Sequence, residues 1–267
     1  MGMTRINALE WKGSVDVEFD DLEVTPDGQR TYFHPDVTTH ISGPQWAWLY
    51  EGMAFALRRG MAMNVHATIV YGRLGVGDDQ AAHELLEDFC DVLRHRAAER
   101  SLPYAHAYAH ERTRDEGLHT HLLTVWPYGG RTDFEGWARR YFAKRSKLVV
   151  PDPSAVDVKH KRDDDVTRHW AWFGYITKGA DPKTQLRDLR ERHRWHQLGE
   201  IMRYRHAPGG VVRCRKRVGL SRSIDRAARR AFGQGGFRSA LLEGASTKEA
   251  LYTDAYLRDY REDRRRE

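Results

Sequence analysis

Cys90 and Cys214 are the only cysteines in 267 residues. Two cysteines of unlike context, one in a helix-like segment and one in a basic loop, are too few for a disulfide framework or an all-cysteine zinc site. No apolar run approaches the roughly 18 residues that cross a bilayer. The opening Met1-Gly2-Met3-Thr4-Arg5 has no basic start followed by an apolar stretch, so a reduced, cytoplasmic setting and no membrane partner are expected. A Gly-x-x-x-x-Gly-Lys-Ser/Thr phosphate loop is missing too, which excludes an attached helicase of that type. There is no internal repeat.

What is present is unevenly distributed. The net charge is +6, yet residues 1–180 hold 22 Lys/Arg against 26 Asp/Glu, whereas residues 181–267 hold 22 against 12. A local basic excess is the electrostatic footprint of phosphate-backbone contact. Arg213, Arg215, Lys216, Arg217, Arg222, Arg226, Arg229 and Arg230 suit an accessory helix on duplex DNA. Residues 1–41, with 3 basic and 8 acidic groups, form an arm unsuited to DNA contact.

Hydrophobic periodicity gives the element order. Ser42 and Pro44 open a helix that Gly60 closes. Residues 64–71 are β-branched and bounded by Gly72, which predicts a strand. Residues 79–99 place Leu85, Phe89, Val92 and Leu93 at helical spacing. Two strands, 104–111 and 118–126, flank a polar turn and form an antiparallel hairpin. A helix over 134–147, a strand over 155–161 and a helix over 166–178 complete the order. Strands and helices alternating around a central hairpin predict an α+β fold, an antiparallel sheet with helices on it. Beyond 181 the pattern reads as helical and Arg-rich. The expected division is an N-terminal arm (1–41), a domain over 42–180 with its core at 64–180, and a basic helical accessory region (181–267).

Side chains alternate along a strand, so His119 and His121 in Leu118-His119-Thr120-His121-Leu122 project from one face, close enough to share a metal ion. A third ligand should come from the neighbouring strand, and register decides which. If odd-numbered residues share a face, Glu111 joins them beside Ala107 and Ala109; a slip of one residue brings His110, Tyr108 and His106. Glu111 is preferred, because the alanines leave room for an ion and a phosphate and a carboxylate offsets the charge of a divalent cation. His66, His106 and His110 then take structural or DNA-edge roles.

Downstream, Tyr175 and Lys178 stand at i and i+3 of the last helix, so a phenol and an ammonium converge. A phenol with a pKa of about 10 needs such a cation to act as a nucleophile at neutral pH.

The histidine pair within residues 111–127 resembles the histidine-hydrophobe-histidine motif of HUH endonucleases, with Thr120 where a bulky hydrophobe is usual, and Tyr175-Ile176-Thr177-Lys178 resembles the Tyr-x-x-Lys motif of rolling-circle replication initiators. The likeness covers about residues 64–180. It implies an RRM-like palm, Mg²⁺ or Mn²⁺ held by His119, His121 and Glu111, and Tyr175 attacking a scissile phosphate with Lys178 neutralising charge. The product would be a 5′-phosphotyrosyl enzyme and a free 3′-hydroxyl. A single tyrosine downstream of the histidine pair fits an initiator of a plasmid, phage or related element, or a transposase-like nickase, rather than a relaxase, whose tyrosine lies upstream. Single-stranded DNA or an origin hairpin would be the substrate, with a host polymerase or helicase as partner. Lys159 and Lys161, on one face of the last strand, suit its backbone. A binding-only module would not need Tyr175 together with the metal set, and an unrelated hydrolase with an HxH zinc pair would not need Tyr175.

Overall fold

The computed structural model describes residues 37–187 and 195–266. Of the arm expected over 1–41, only residues 37–41 fall within that range. Helix α1 (Gly43–Arg58) begins at a capping box in which Ser42 and Gln45 each accept the other's backbone N–H, with Pro44 in the first turn. It ends at Gly60, whose φ of +73° and whose closeness to the Tyr260 ring leave no room for a side chain. Strand β1 (Val65–Val70), helix α2 (Asp79–Glu99), strands β2 (His106–Thr113) and β3 (Gly117–Thr124), helix α3 (Arg131–Ala143), strand β4 (Val156–His160) and helix α4 (Val166–Ile176) follow in the expected order. Toward the turn, β2 runs two residues and β3 one residue further than the polar composition of that segment suggests. Gly117, at φ +66°, supplies the left-handed residue that closes so tight a loop.

Beyond 181 lie β5 (Gln185–Arg187), β6 (Trp195–Gln197), α5 (Leu198–Ile201), β7 (Val218–Leu220), α6 (Arg226–Arg230), α7 (Lys248–Leu251) and α8 (Ala255–Arg266). The expected helical character is therefore only partial, since only α8 among the described helices here exceeds five residues. Left-handed glycines at 210, 233, 235, 236 and 244 interrupt any longer helix. The basic residues are also less available than their charge suggests. Arg217 is buried, its guanidinium donating to the carbonyls of Thr38, Gly209 and Gly210, and Arg229 is buried with a bond to the Ile224 carbonyl. Residues 213–217 lie in a loop, not on a helix.

The fold is α+β. Its five-stranded antiparallel sheet runs in the order β4-β1-β3-β2-β7, with helices on both faces. On one face Val65, Ala67, Ile69, Tyr108 and Leu122 pack with Leu86, Phe89 and Leu93 of α2 and Phe134 and Phe142 of α3. On the other, Ala105, Ala107, Ala109 and Leu123 pack with α1 and α4 around Trp46, Trp170 and Phe173. Phe237, Leu241, Leu251 and Tyr256 belong to that same core, so the C-terminal region is built into the sheet's second layer rather than set beside it. No helix among the described residues is long and apolar enough to cross a membrane.

Two buried histidines make this core acid-sensitive. His169 accepts the Met63 N–H on Nδ1, which only a deprotonated nitrogen does. Burial holds His169 at about 3 and His106 at about 4, below the ordinary 6.5. The unfolded chain therefore takes up protons that the folded chain refuses. Stability is full above 6.5 and is lost as pH falls through that value toward 4, by up to about 1.4 kcal/mol per pH unit for each histidine. Thermal unfolding midpoints should drop over this interval, and less steeply in His169→Gln. An unchanged slope in that variant contradicts the neutral burial of His169.

Candidate active site

Cross-strand pairing of Glu111 with His119 and of Ala109 with His121 settles the hairpin register. Odd residues of β2 and β3 share a face with the even residues of β1, because Thr68 pairs with His121 and His66 with Leu123. Glu111, His119 and His121 therefore project together beside the small Ala107 and Ala109, and His110 projects from the opposite face. All three are buried, and their ligand atoms lie within 4.8 Å of one another.

Each imidazole is aimed by a contact on its far nitrogen. His119 Nδ1 lies 3.1 Å from the Gly117 carbonyl, to which it donates, turning Nε2 toward Glu111 at 3.6 Å. His121 Nδ1 sits 3.2 Å from His66 Nε2 and 3.3 Å from Thr68 Oγ1, turning its Nε2 to 3.2 Å from the same Glu111 oxygen. Such outer contacts fix the tautomer and ring orientation of metal-binding histidines. Burial opposes ionisation of Glu111, but contacts from His119, His121 and Lys178 and the Lys178 charge outweigh it and hold the carboxyl well below the usual carboxylate range. Burial, with the charges of Lys178 and His119, lowers the His121 pKa against the pull of Glu111, so that ring is neutral at neutral pH. Two imidazole nitrogens and a carboxylate oxygen converging in one buried pocket form a donor set that could hold a divalent cation.

Helix α4 lies over this pocket. Asp165 caps its first turn by accepting the Arg168 N–H. Trp170, Phe173 and Ile176 anchor it in the core, which leaves Tyr175 half-buried on the sheet-facing side. The Tyr175 ring meets His121 edge to face at 4.8 Å and His66 at 5.5 Å between centroids. Lys178, just past the helix end, sets Nζ 2.8 Å from Glu111 Oε2 and 3.8 Å from the Tyr175 ring centroid. One ammonium thus touches both the candidate ligand set and the candidate nucleophile.

Lys159 pairs across from His66, so it lies on the site's face of the sheet, exposed and 3.6 Å from Asp157. Lys161 is exposed just past the end of β4. Two residues of this site carry no clear signal in the sequence. His66 is remote from the histidine pair along the chain, and its role is visible only once β1 is paired with β3. Tyr204, exposed between Arg203 and Arg205, meets Tyr175 at 5.9 Å, and its segment is tied down by the Ala207 N–H donating to the Lys178 carbonyl. Its only hint is an aromatic between two arginines. His66→Ala, which frees the His121 ring, should weaken Mn²⁺ binding by about 10- to 100-fold in calorimetric titration. Unchanged affinity would mean that His66 does not orient His121. Family models, curated proteins and solved structures provide no match to the chain.

Proposed function

We propose that the chain is a metal-dependent endonuclease of the HUH class that nicks and rejoins single-stranded DNA through Tyr175, serving as a rolling-circle replication initiator. The observation that carries this reading is the convergence of Glu111, His119 and His121 with Tyr175 and Lys178 on one face of the sheet. A hydrolase using the histidine pair alone has no need of a tyrosine and a lysine over the metal ligands.

The residues divide the work as follows. His119, His121 and Glu111 would hold Mg²⁺ or Mn²⁺, which supplies polarisation of the non-bridging oxygens of the scissile phosphate. Tyr175 loses its phenolic proton to solvent and its oxygen bonds to phosphorus. The P–O3′ bond breaks, and the departing oxygen takes a proton from water to become a 3′-hydroxyl. Lys178 offsets the negative charge of the phenolate and of the phosphate in transit. The phosphodiester bond is conserved as a 5′-phosphotyrosyl link, so reversal by a 3′-hydroxyl joins strands without ATP. A free 3′-end is a primer for a polymerase, which makes an origin loop or hairpin the natural substrate. Lys159 and Lys161 suit backbone phosphates, and Tyr204 between Arg203 and Arg205 suits stacking of an unpaired base.

Incubation with Mn²⁺ and a diverse pool of labelled single-stranded oligonucleotides should give a protein–DNA adduct that survives denaturing electrophoresis and is lost when metal is chelated. Absence of an adduct across the pool, with metal bound, overturns the reading. Lys178→Met keeps the aliphatic stem but removes the charge, and should slow cleavage by about 10²- to 10³-fold. Cleavage at the wild-type rate would remove Lys178 from the mechanism.

A further inference from the structure

The opposite face of the sheet holds a second group of metal-binding side chains. His83 of α2, His110 of β2 and Cys214 of the loop before β7 are all buried, at 4%, 1% and 2% exposure, and their ligand atoms lie within 4.8 Å of one another. His83 Nδ1 and His110 Nε2 are 3.3 Å apart. We propose that His83, His110 and Cys214 form a second metal site, for a thiophilic divalent ion with zinc foremost, separate from the Glu111, His119 and His121 pocket.

Three features carry this inference. First, His110 is oriented as a ligand: its Nδ1 lies 2.6 Å from Thr120 Oγ1, which in turn lies 2.8 Å from the Tyr71 hydroxyl, all three side chains being buried. Donation from Nδ1 to that hydroxyl leaves a lone pair on Nε2, facing His83 and Cys214. Thr120 is the residue that stands where a bulky hydrophobe would be expected, and its hydroxyl is used here. Second, the Cys214 segment is held against α2 from both sides. The Arg213 N–H donates to Asp79 Oδ2 at 2.6 Å and the Arg215 N–H to Gln80 Oε1 at 3.2 Å, which ties the Cys214 segment to α2 one helical turn before His83. Third, the donor sets differ in kind. The thiolate selects zinc or another thiophilic ion over Mg²⁺ or Mn²⁺, whereas a carboxylate beside two imidazoles accepts zinc and harder divalent ions alike.

On coordination the Cys214 thiol, which otherwise donates to the Lys216 carbonyl at 3.3 Å, releases its proton, and His83 carries its proton on Nε2 instead of Nδ1. Arg213, Arg215 and Lys216 flank Cys214 along the chain, and basic neighbours favour the thiolate form. A tetrahedral ion takes its fourth ligand from water. The ion would clamp α2, β2 and the loop leading into β7, a three-residue edge strand.

The test uses the full chain, stripped of metal and titrated with Co²⁺. Wild type and Glu111→Gln should both develop stoichiometric thiolate-to-cobalt charge-transfer absorption that zinc abolishes, Cys214→Ser should not, and zinc should raise the thermal midpoint of wild type. Absence of the absorption in wild type overturns the proposal whether or not the Cys214 variant folds. Its persistence in folded Cys214→Ser overturns it too.

Discussion

Tyr175→Phe should abolish adduct formation and reduce single-strand cleavage by on the order of 10³-fold or more, with DNA affinity and Mn²⁺ affinity within a few-fold of wild type. The substitution removes one oxygen. The ring that meets His121, His66 and Tyr204 edge to face remains, and so does the surface under Lys178. A structural role for the aromatic ring would therefore survive the change, and a nucleophilic role would not. Tyr204 meets the Tyr175 ring, but among the described residues Tyr175 alone of the tyrosines is in ring contact with His121. Measurement on one cleaved oligonucleotide, at saturating Mn²⁺, separates the rate from the binding terms.

Glu111→Gln should be nearly as damaging by a different route. The amide keeps the shape but removes the charge that Lys178, His119 and His121 all face. Mn²⁺ affinity should fall by about 10- to 100-fold or more, and cleavage at subsaturating metal by about 10²- to 10³-fold, with partial recovery as Mn²⁺ is raised. Because Glu111 is held well below the usual carboxylate range, it remains ionised across the neutral region and wild-type metal binding should not fade there through its protonation. Wild-type cleavage by Glu111→Gln would exclude the carboxylate as a ligand.

Local chemistry made much of this site legible in the sequence. The Ser42 cap, the β-branched run of β1 and the helical spacing over 79–99 each rest on interactions within a few residues, and the structure places those elements where the spacing predicts. The period of two along a strand put His119 and His121 on one face, and the small Ala107 and Ala109 pointed to Glu111 as their companion. Register itself was not fixed by the sequence, because the turn could close at more than one position. The left-handed Gly117 and the pairing of Thr113 with it decide the matter.

Features that depend on distant segments meeting stayed hidden. Strand β7 has three residues and shows no periodicity, yet it pairs with β2 at the edge of the sheet. Arg217 and Arg229 looked like solvent-facing cations among others of their kind, and only folding shows their guanidinium groups turned onto carbonyls. His66, Tyr204, His83 and Cys214 acquire their neighbours from β1–β3 pairing or from the path of the chain after 200, neither of which leaves a local pattern.

The central claim is that Tyr175 becomes bonded to DNA. Tryptic digestion of the Mn²⁺-dependent adduct, after nuclease trimming, should release the peptide spanning residues 169–178, whose only tyrosine is Tyr175, carrying nucleotide mass on the phenolic oxygen. Nucleotide mass on any other peptide, or cleavage that proceeds with no covalent intermediate, would contradict the account.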